Sequence, residues 1–360
     1  ITMKETLIYI CKAVVFGLVM AAVFLLVSRF MGEGNLGGNL LQFRGNSGAE
    51  LSFAKAVRRA APAVVNIYSL SINQSRPLNG GSLQGLGSGV IMRKEGYILT
   101  NYHVVKKADE IVVALQDGRK FGAEVVGQDP ETDLAVLEIQ GENLPVVPLN
   151  LNSPPQVGDV VLAIGNPYNL GQTITQGIIS ATGRNGLSTG YLDFLQTDAA
   201  INAGNSGGAL IDTHGGLIGI NTAAFQIGGE GGGHGINFAI PIKLAYAVMG
   251  KLIKDGRVIR GALGISGEDV SPVVAQILNL PDLRGVVVTG IEPNGPAALA
   301  GLRPRDVITQ YQGEDVTRIY MLMDRIAETT PGTKVTLQVI RAGKQIELPV
   351  VIGEKPVDYN

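Results

Sequence analysis

Thr197-Asp198-Ala199-Ala200-Ile201-Asn202-Ala203-Gly204-Asn205-Ser206-Gly207-Gly208-Ala209-Leu210 sets one serine among glycines, between two apolar runs. Glycines at 204, 207 and 208 let the backbone turn sharply and let another chain come close. Such a turn can aim successive N–H groups at one point, which a developing oxyanion requires. A serine hydroxyl alone is a weak nucleophile. It needs a base within reach and a third group that orients the base. The residues that follow, Ala209 to Ile220, read as strand, turn, strand. That argues against the nucleophile elbow of α/β-hydrolases, which requires a helix directly after the serine.

The chain has three histidines. His214 reads as a hairpin-turn residue and His234 as part of a glycine loop. His103 follows an apolar strand, in Thr100-Asn101-Tyr102-His103-Val104-Val105. Asp133 stands at a turn-to-strand junction, in Thr132-Asp133-Leu134-Ala135-Val136. Loops at strand ends are where catalytic groups usually sit on a β scaffold. The order His103, Asp133, Ser206 matches the chymotrypsin arrangement. In that reading His103 is the base, Asp133 fixes its tautomer, and the N–H groups of Gly204 and Ser206 form the oxyanion hole. Each residue alone has a plainer reading as a turn or surface residue. The order and the contexts together make the assignment.

The rest of the chain of 360 residues is consistent with a β-rich protein. It has 49 glycines and no tryptophan, and short β-branched runs recur between turns. Net charge is −2, which does not point to nucleic acid. The single cysteine, Cys11, excludes an internal disulfide, and no His or Cys pair has metal-ligand spacing. No metal or other cofactor is expected.

Leu7 to Val27 is apolar except for Lys12. As a helix it spans roughly 31 Å, close to the thickness of bilayer hydrocarbon. It reads as a transmembrane anchor (7–27), with a cleaved signal peptide as the alternative. The Gly- and Asn-rich stretch 28–50 reads as a flexible linker. From 51 to 256 the short strands, including the Asp117-Gly118 hairpin turn, predict one or two β-barrels. A second unit, 257–353, contains strands and helices near 296–300 and 317–329. Arg257 to Arg260 reads as the hinge between the two.

The three motifs, together with Gly165-Asn166-Pro167-Tyr168, resemble the signatures of the HtrA family of serine proteases. Gly285-Val286-Val287-Val288, Pro296-Ala297-Ala298-Leu299-Ala300-Gly301-Leu302 and Arg305-Asp306-Val307-Ile308 resemble bacterial PDZ domains. The fold this implies is mostly β: a chymotrypsin-like double β-barrel plus a C-terminal α+β PDZ domain, preceded by one transmembrane helix. One anchor, one protease domain and one PDZ domain resemble the envelope-stress sensor branch of the family.

The resemblance implies a serine endopeptidase at the inner membrane, single-pass, with both domains in the periplasm. Its substrate would be a membrane anti-sigma factor. Its activators would be C-termini of misfolded outer-membrane proteins, and its assembly a homotrimer. Ala200 stands where trypsin-like enzymes keep the acid that reads Arg or Lys, so a small apolar P1 residue such as Val is expected. Asn205, before the serine, excludes the zymogen switch that needs an acid there. Ala200, Ile201, Asn221, Thr222 and Ala223 would contact substrate, the last three as a strand edge. Ala262, Leu263, Gly264, Ile265 and Met323 would bind peptide in the PDZ domain. Arg184, Gln196 and Tyr168 would relay its binding to the active site. A soluble protease-chaperone of the same family is the nearer alternative, though such proteins usually carry a second PDZ domain. A non-catalytic peptide-binding scaffold would require a defective triad.

Overall fold

The structure, a computed structural model, describes residues 3–30, 52–71, 82–166, 171–184, 194–202, 204–222, 235–280 and 282–356. It divides into two compact units, Ile1–Ser52 and Phe53–Asn360. The first holds helix α1 (Met3–Phe30). Its described side chains are Lys12 and Val14 to Leu26, and all are exposed. Among the described residues no helix is long and apolar enough to cross a membrane. The anchor read at 7–27 therefore stands on the sequence alone.

The second unit opens with α2 (Ala54–Ala60) and a 3₁₀ turn carrying Pro62, which ends the helix and feeds β1 (Val64–Ser71). There follow β2 (Ser82–Ile91), β3 (Tyr97–Thr100), the one-turn helix α3 (Tyr102–Val105), β4 (Glu110–Ala114), β5 (Lys120–Gly122), β6 (Glu124–Asp129) and β7 (Leu134–Glu138). The hydrogen-bonded order is β5-β4-β1-β2-β3-β7-β6. β5 and β6 lie at opposite ends of that path, yet only Ala123 separates them in the chain. The sheet must therefore curl round until its two ends meet.

β8 (Val160–Gly165), β9 (Thr173–Arg184), β10 (Phe194–Thr197), β11 (Ala209–Asp212), β12 (Leu217–Thr222) and β13 (Asn237–Pro241) close into a barrel, in the order β10-β13-β12-β11-β8-β9. Side chains alternate along these strands, as the period of two requires. Val161, Ala163, Leu195, Leu210, Ile218 and Ala239 form one core cluster. Their neighbours Leu162, Ile164, Phe194, Ile211, Leu217 and Phe238 join a larger cluster shared with the first sheet. The nucleophile turn, between β10 and β11, thus grows out of a strand buried on both faces. Helix α4 (Ile242–Asp255) adds Ala245, Val248, Met249 and Leu252 to the shared cluster. It ends at Gly256, whose φ of 69° suits a left-handed cap.

The remainder contains β14 (Gly261–Ala262), β15 (Ile265–Asp269), α5 (Pro272–Leu278), β16 (Val286–Ile291), α6 (Pro296–Leu299), β17 (Val307–Tyr311), β18 (Glu314–Asp315), α7 (Ile319–Glu328), β19 (Lys334–Arg341), β20 (Lys344–Val351) and β21 (Gly353–Glu354). The main sheet runs β15-β16-β17-β19-β20, so β15 has one open edge. Val286, Ile308, Leu322, Leu337 and Val350 form its own core. Helix α5 was not read from the sequence. Its signal is Ser271-Pro272: the serine hydroxyl accepts the Val274 N–H, and proline fits the first helical position.

Ion pairs gather at the expected hinge, Arg257–Arg260. Arg260 donates to both carboxylate oxygens of Asp129 at 2.8 and 2.7 Å. Lys355 reaches Glu131 at 2.9 Å, and Arg257 pairs with Glu354. The segment is pinned to β6 on one side and to β21 on the other.

Candidate active site

The site forms where the first sheet meets the barrel. His103 sits on α3, directly after β3. Asp133 is held in a left-handed conformation, φ 53°, that residues with a side chain seldom adopt. Its carbonyl accepts the Tyr102 N–H at 3.0 Å and the Asn101 amide at 2.9 Å, which binds the two loops together. Its carboxylate faces the imidazole. Oδ1 accepts the backbone N–H of His103 at 3.0 Å. Oδ2 lies 2.8 Å from Nδ1 and accepts the Thr222 hydroxyl at 3.0 Å. A carboxylate opposite Nδ1 favours the ring proton there and leaves Nε2 as an acceptor. Asp133 is buried, with 7% of its side chain exposed, whereas 31% of the His103 side chain is open to solvent.

Ser206 lies in a turn built by glycine. Gly204 has φ 101° and Gly207 φ 80°. A Cβ on Gly207 would fall 2.2 Å from the Ser88 carbonyl and 2.4 Å from Thr100 Oγ1, so only glycine fits. Thr100 is three residues before His103, and the nucleophile turn therefore rests against the base-carrying loop. Strand β12 ties the third corner. Asn221 accepts the Gly207 N–H at 2.9 Å and donates its own N–H to the Gly208 carbonyl at 2.9 Å. The next residue is Thr222, bonded to Asp133. Two consecutive residues thus connect the acid to the nucleophile turn.

Similarity to known proteins bears on this arrangement. Residues 87–220 match the trypsin-like peptidase domain, and residues 261–352 match the PDZ domain. Serine endoprotease DegS of Salmonella typhimurium is 49% identical over 349 residues, covering 96% of this chain and 98% of that protein. Serine endoprotease DegS of Escherichia coli K12 is 52% identical over 318 residues, covering 88% and 89%. The chain belongs to the DegS-type HtrA serine endoproteases. The solved HtrA-type protease AlgW with tripeptide superposes with a TM-score of 0.78 at 49% identity, over 85% of this chain and 98% of that one. As an HtrA endoprotease the chain hydrolyses peptide bonds through a serine.

Around the HtrA nucleophile turn, the expected substrate residues divide. Ala200 is exposed, and its carbonyl accepts the Thr175 hydroxyl at 2.8 Å. Ile201 is buried, 3% exposed. Asp198 accepts the Ile178 N–H at 2.7 Å, so its carboxylate serves the backbone of β9. Asn221 and Thr222 end β12, where they pair with Ala239 and Phe238 of β13. Asn221 gives its backbone groups to the nucleophile turn, and Thr222 gives its hydroxyl to Asp133. Ala223 lies outside the described residues.

The relay residues are less fully seen. Arg184 ends β9 and pairs through its backbone with Phe194, while Gln196 pairs with Ala181 and Phe238. Tyr168 lies outside the described residues. In the PDZ domain, Ala262 ends β14, Leu263 is buried and Gly264 turns with φ 70°. The Leu263 and Gly264 carbonyls accept the N–H groups of Ala297 and Glu292, at 2.9 and 2.8 Å, and these bonds fix the loop. Ile265 opens β15, and Met323 on α7 packs against the PDZ core. At the far end, Asp269 accepts the Ile319 N–H at 2.6 Å and the Arg318 guanidinium at 3.2 Å. Among the described residues no group of His, Cys, Asp or Glu could hold a metal ion.

Proposed function

We propose that His103, Asp133 and Ser206 are the catalytic triad of a periplasmic endopeptidase opened by peptides on its PDZ domain. The observation that carries this is the Asp133 carboxylate, which faces the His103 ring and is joined through Thr222 and Asn221 to the Ser206 turn. In this reading Ser206 Oγ attacks the scissile carbonyl while Nε2 of His103 takes its proton. Asp133 stays ionised and stabilises the imidazolium. The N–H groups of Gly204 and Ser206 bind the oxyanion. Nε2 then passes its proton to the leaving amine, and water repeats the sequence on the acyl-enzyme. Ala200 places no charge in the P1 pocket, which favours a small apolar residue such as Val.

The open edge of β15, beside α7, suits a C-terminal peptide added as one more strand. Its carboxylate would sit at the turn of Leu263 and Gly264. Binding would favour the active form of the loop around Arg184, Gln196 and Tyr168, provided that the peptide has higher affinity for that form. The anti-sigma substrate, the outer-membrane-protein activators, the homotrimer and the anchor at 7–27 are supported by the likeness to DegS and by the sequence. The test is digestion of a purified membrane anti-sigma factor, with and without C-terminal outer-membrane-protein peptides. Peptide-stimulated cleavage that Ser206→Ala abolishes is expected. Cleavage by Ser206→Ala would overturn the assignment, and cleavage indifferent to peptide would overturn the gating.

A further inference from the structure

Ser88 stands in the middle of β2, in a different sheet from the nucleophile, and has no exposed surface. Its two neighbours are glycines that cannot take a side chain. A Cβ on Gly87 would fall 2.5 Å from Val104, and one on Gly89 2.7 Å from Ile98. The strand is therefore pressed against its surroundings, and the one side chain it offers here is a hydroxyl. That hydroxyl lies 2.7 Å from the Gly204 carbonyl and 3.1 Å from the Asn166 N–H. The Asn166 group can only donate, so the hydroxyl accepts from it and sends its single proton to Gly204. The Ser88 N–H donates to the Ser206 carbonyl at 2.8 Å. The Ser88 carbonyl accepts the Thr100 hydroxyl at 2.7 Å.

These bonds fix the peptide planes on either side of the one that carries the Ser206 N–H. In a trans peptide the C=O and N–H point opposite ways in one plane. The plane joining Gly204 to Asn205 is held at both ends, by Ser88 Oγ on the carbonyl and by Asn202 O on the Asn205 N–H at 3.0 Å. The plane joining Ser206 to Gly207 is likewise held, by the Ser88 N–H and by Asn221 O. Between them lies the plane that carries the Ser206 N–H, and its carbonyl accepts the Gly208 N–H at 2.9 Å. Ser88 thus fixes two of three consecutive planes. The hydroxyl acts at the softer one, because Gly204 rotates at little steric cost.

We propose that Ser88 is a positioning residue for the oxyanion hole, holding the Gly204 and Ser206 carbonyls and with them the two planes that flank the Ser206 N–H. This rests on the assignment of the Ser206 N–H as an oxyanion donor. Ser88 touches neither substrate nor the reacting atoms. Its loss acts on the transition state rather than on substrate binding. Deleting one oxyanion donor outright costs about 10²–10³-fold in kcat. Loosening a donor costs less, and Ser88→Ala should lower kcat by about 10–100-fold with KM unchanged.

The experiment uses the full chain and a fluorogenic peptide with Val before the scissile bond. A peptide boronate serves as the tetrahedral probe. Ser88→Ala should lose boronate affinity by the same factor as kcat, and its pH–rate profile should keep the parent's midpoint because His103 and Asp133 are untouched. Ser88→Cys keeps the side-chain shape with a slightly larger atom and weakens the donor, so its kcat should fall between those of the parent and the alanine variant. Folding is followed by thermal unfolding. If Ser88→Ala does not fold, Ser88→Cys decides: a reduced kcat with the parent's KM supports the proposal, and full activity overturns it. A folded Ser88→Ala with kcat within twofold of the parent overturns it, as does a loss confined to KM. Failure of the underlying reading looks different, because Ser206→Ala would then hydrolyse the peptide at the parent's rate.

Discussion

Thr222→Val exchanges one oxygen for a methyl beside the Asp133 carboxylate and changes little else. Thr222 is 2% exposed, and its hydroxyl donates to Oδ2 at 3.0 Å. Besides the imidazole, the carboxylate has the backbone N–H of His103 as a donor. A hydrogen bond to a charged group contributes about 1.5–3 kcal/mol. If all of that were lost only in the transition state, kcat would fall by about 10–150-fold. In the proposed mechanism the Asp133 carboxylate keeps its charge throughout, however, so most of the bond is present in both states. What remains is the reorientation of a carboxylate freed on one side. We expect kcat to fall by about 3–10-fold, KM to stay constant, and the folded state to lose about 1.5–3 kcal/mol. Steady-state hydrolysis of the Val peptide and thermal unfolding measure both. Thr222→Ser restores the hydroxyl and should recover kcat to within about twofold. Full kcat in Thr222→Val, or an equal loss in both variants, would refute the reasoning, since the effect would then be absent or due to the methyl group.

Gly207→Ala should cost about 100-fold or more in kcat, because an added Cβ must push the nucleophile turn from Ser88 and Thr100, and misplacement by about 1 Å has that effect. Near-parental kinetics would contradict the packing. Arg260→Met strands the Asp129 carboxylate, 2% exposed, and should destabilise the fold by about 3–5 kcal/mol. Adding Asp129→Asn should recover part of the loss, and strict additivity in thermal unfolding would show that the pair does not interact. Burial raises the Tyr311 phenol above its ordinary range. Above about pH 10 the unfolded chain binds fewer protons there than the folded one, so stability falls as pH rises. Tyr311→Phe should flatten that alkaline slope of the unfolding midpoint, and an unchanged slope would refute the cause.

Much of this was legible in the sequence, for a definite reason. Glycines around Ser206, an aspartate before β7 and a histidine after β3 are each required locally, and local requirements leave local marks. The jobs of Asn221 and Thr222 were not legible, because they depend on which strands lie on either side of β12. Ser88 was hidden too, since Gly87-Ser88-Gly89 reads as a weak strand and only the folded chain brings Gly204 and Asn166 to its hydroxyl. The ion pairs at the expected hinge were hidden for a related reason. Arginines at 257 and 260 look solvated until Asp129 and Glu354 arrive from more than ninety residues away.

The central claim is that one serine, activated by one histidine, performs the hydrolysis. A fluorophosphonate forms a stable adduct with an activated serine hydroxyl, and mass spectrometry of the digested protein locates it. The account predicts a single adduct on Ser206, complete loss of peptidase activity once it forms, and no labelling in His103→Ala. An adduct on another serine, or hydrolysis that continues with Ser206 blocked, would contradict it.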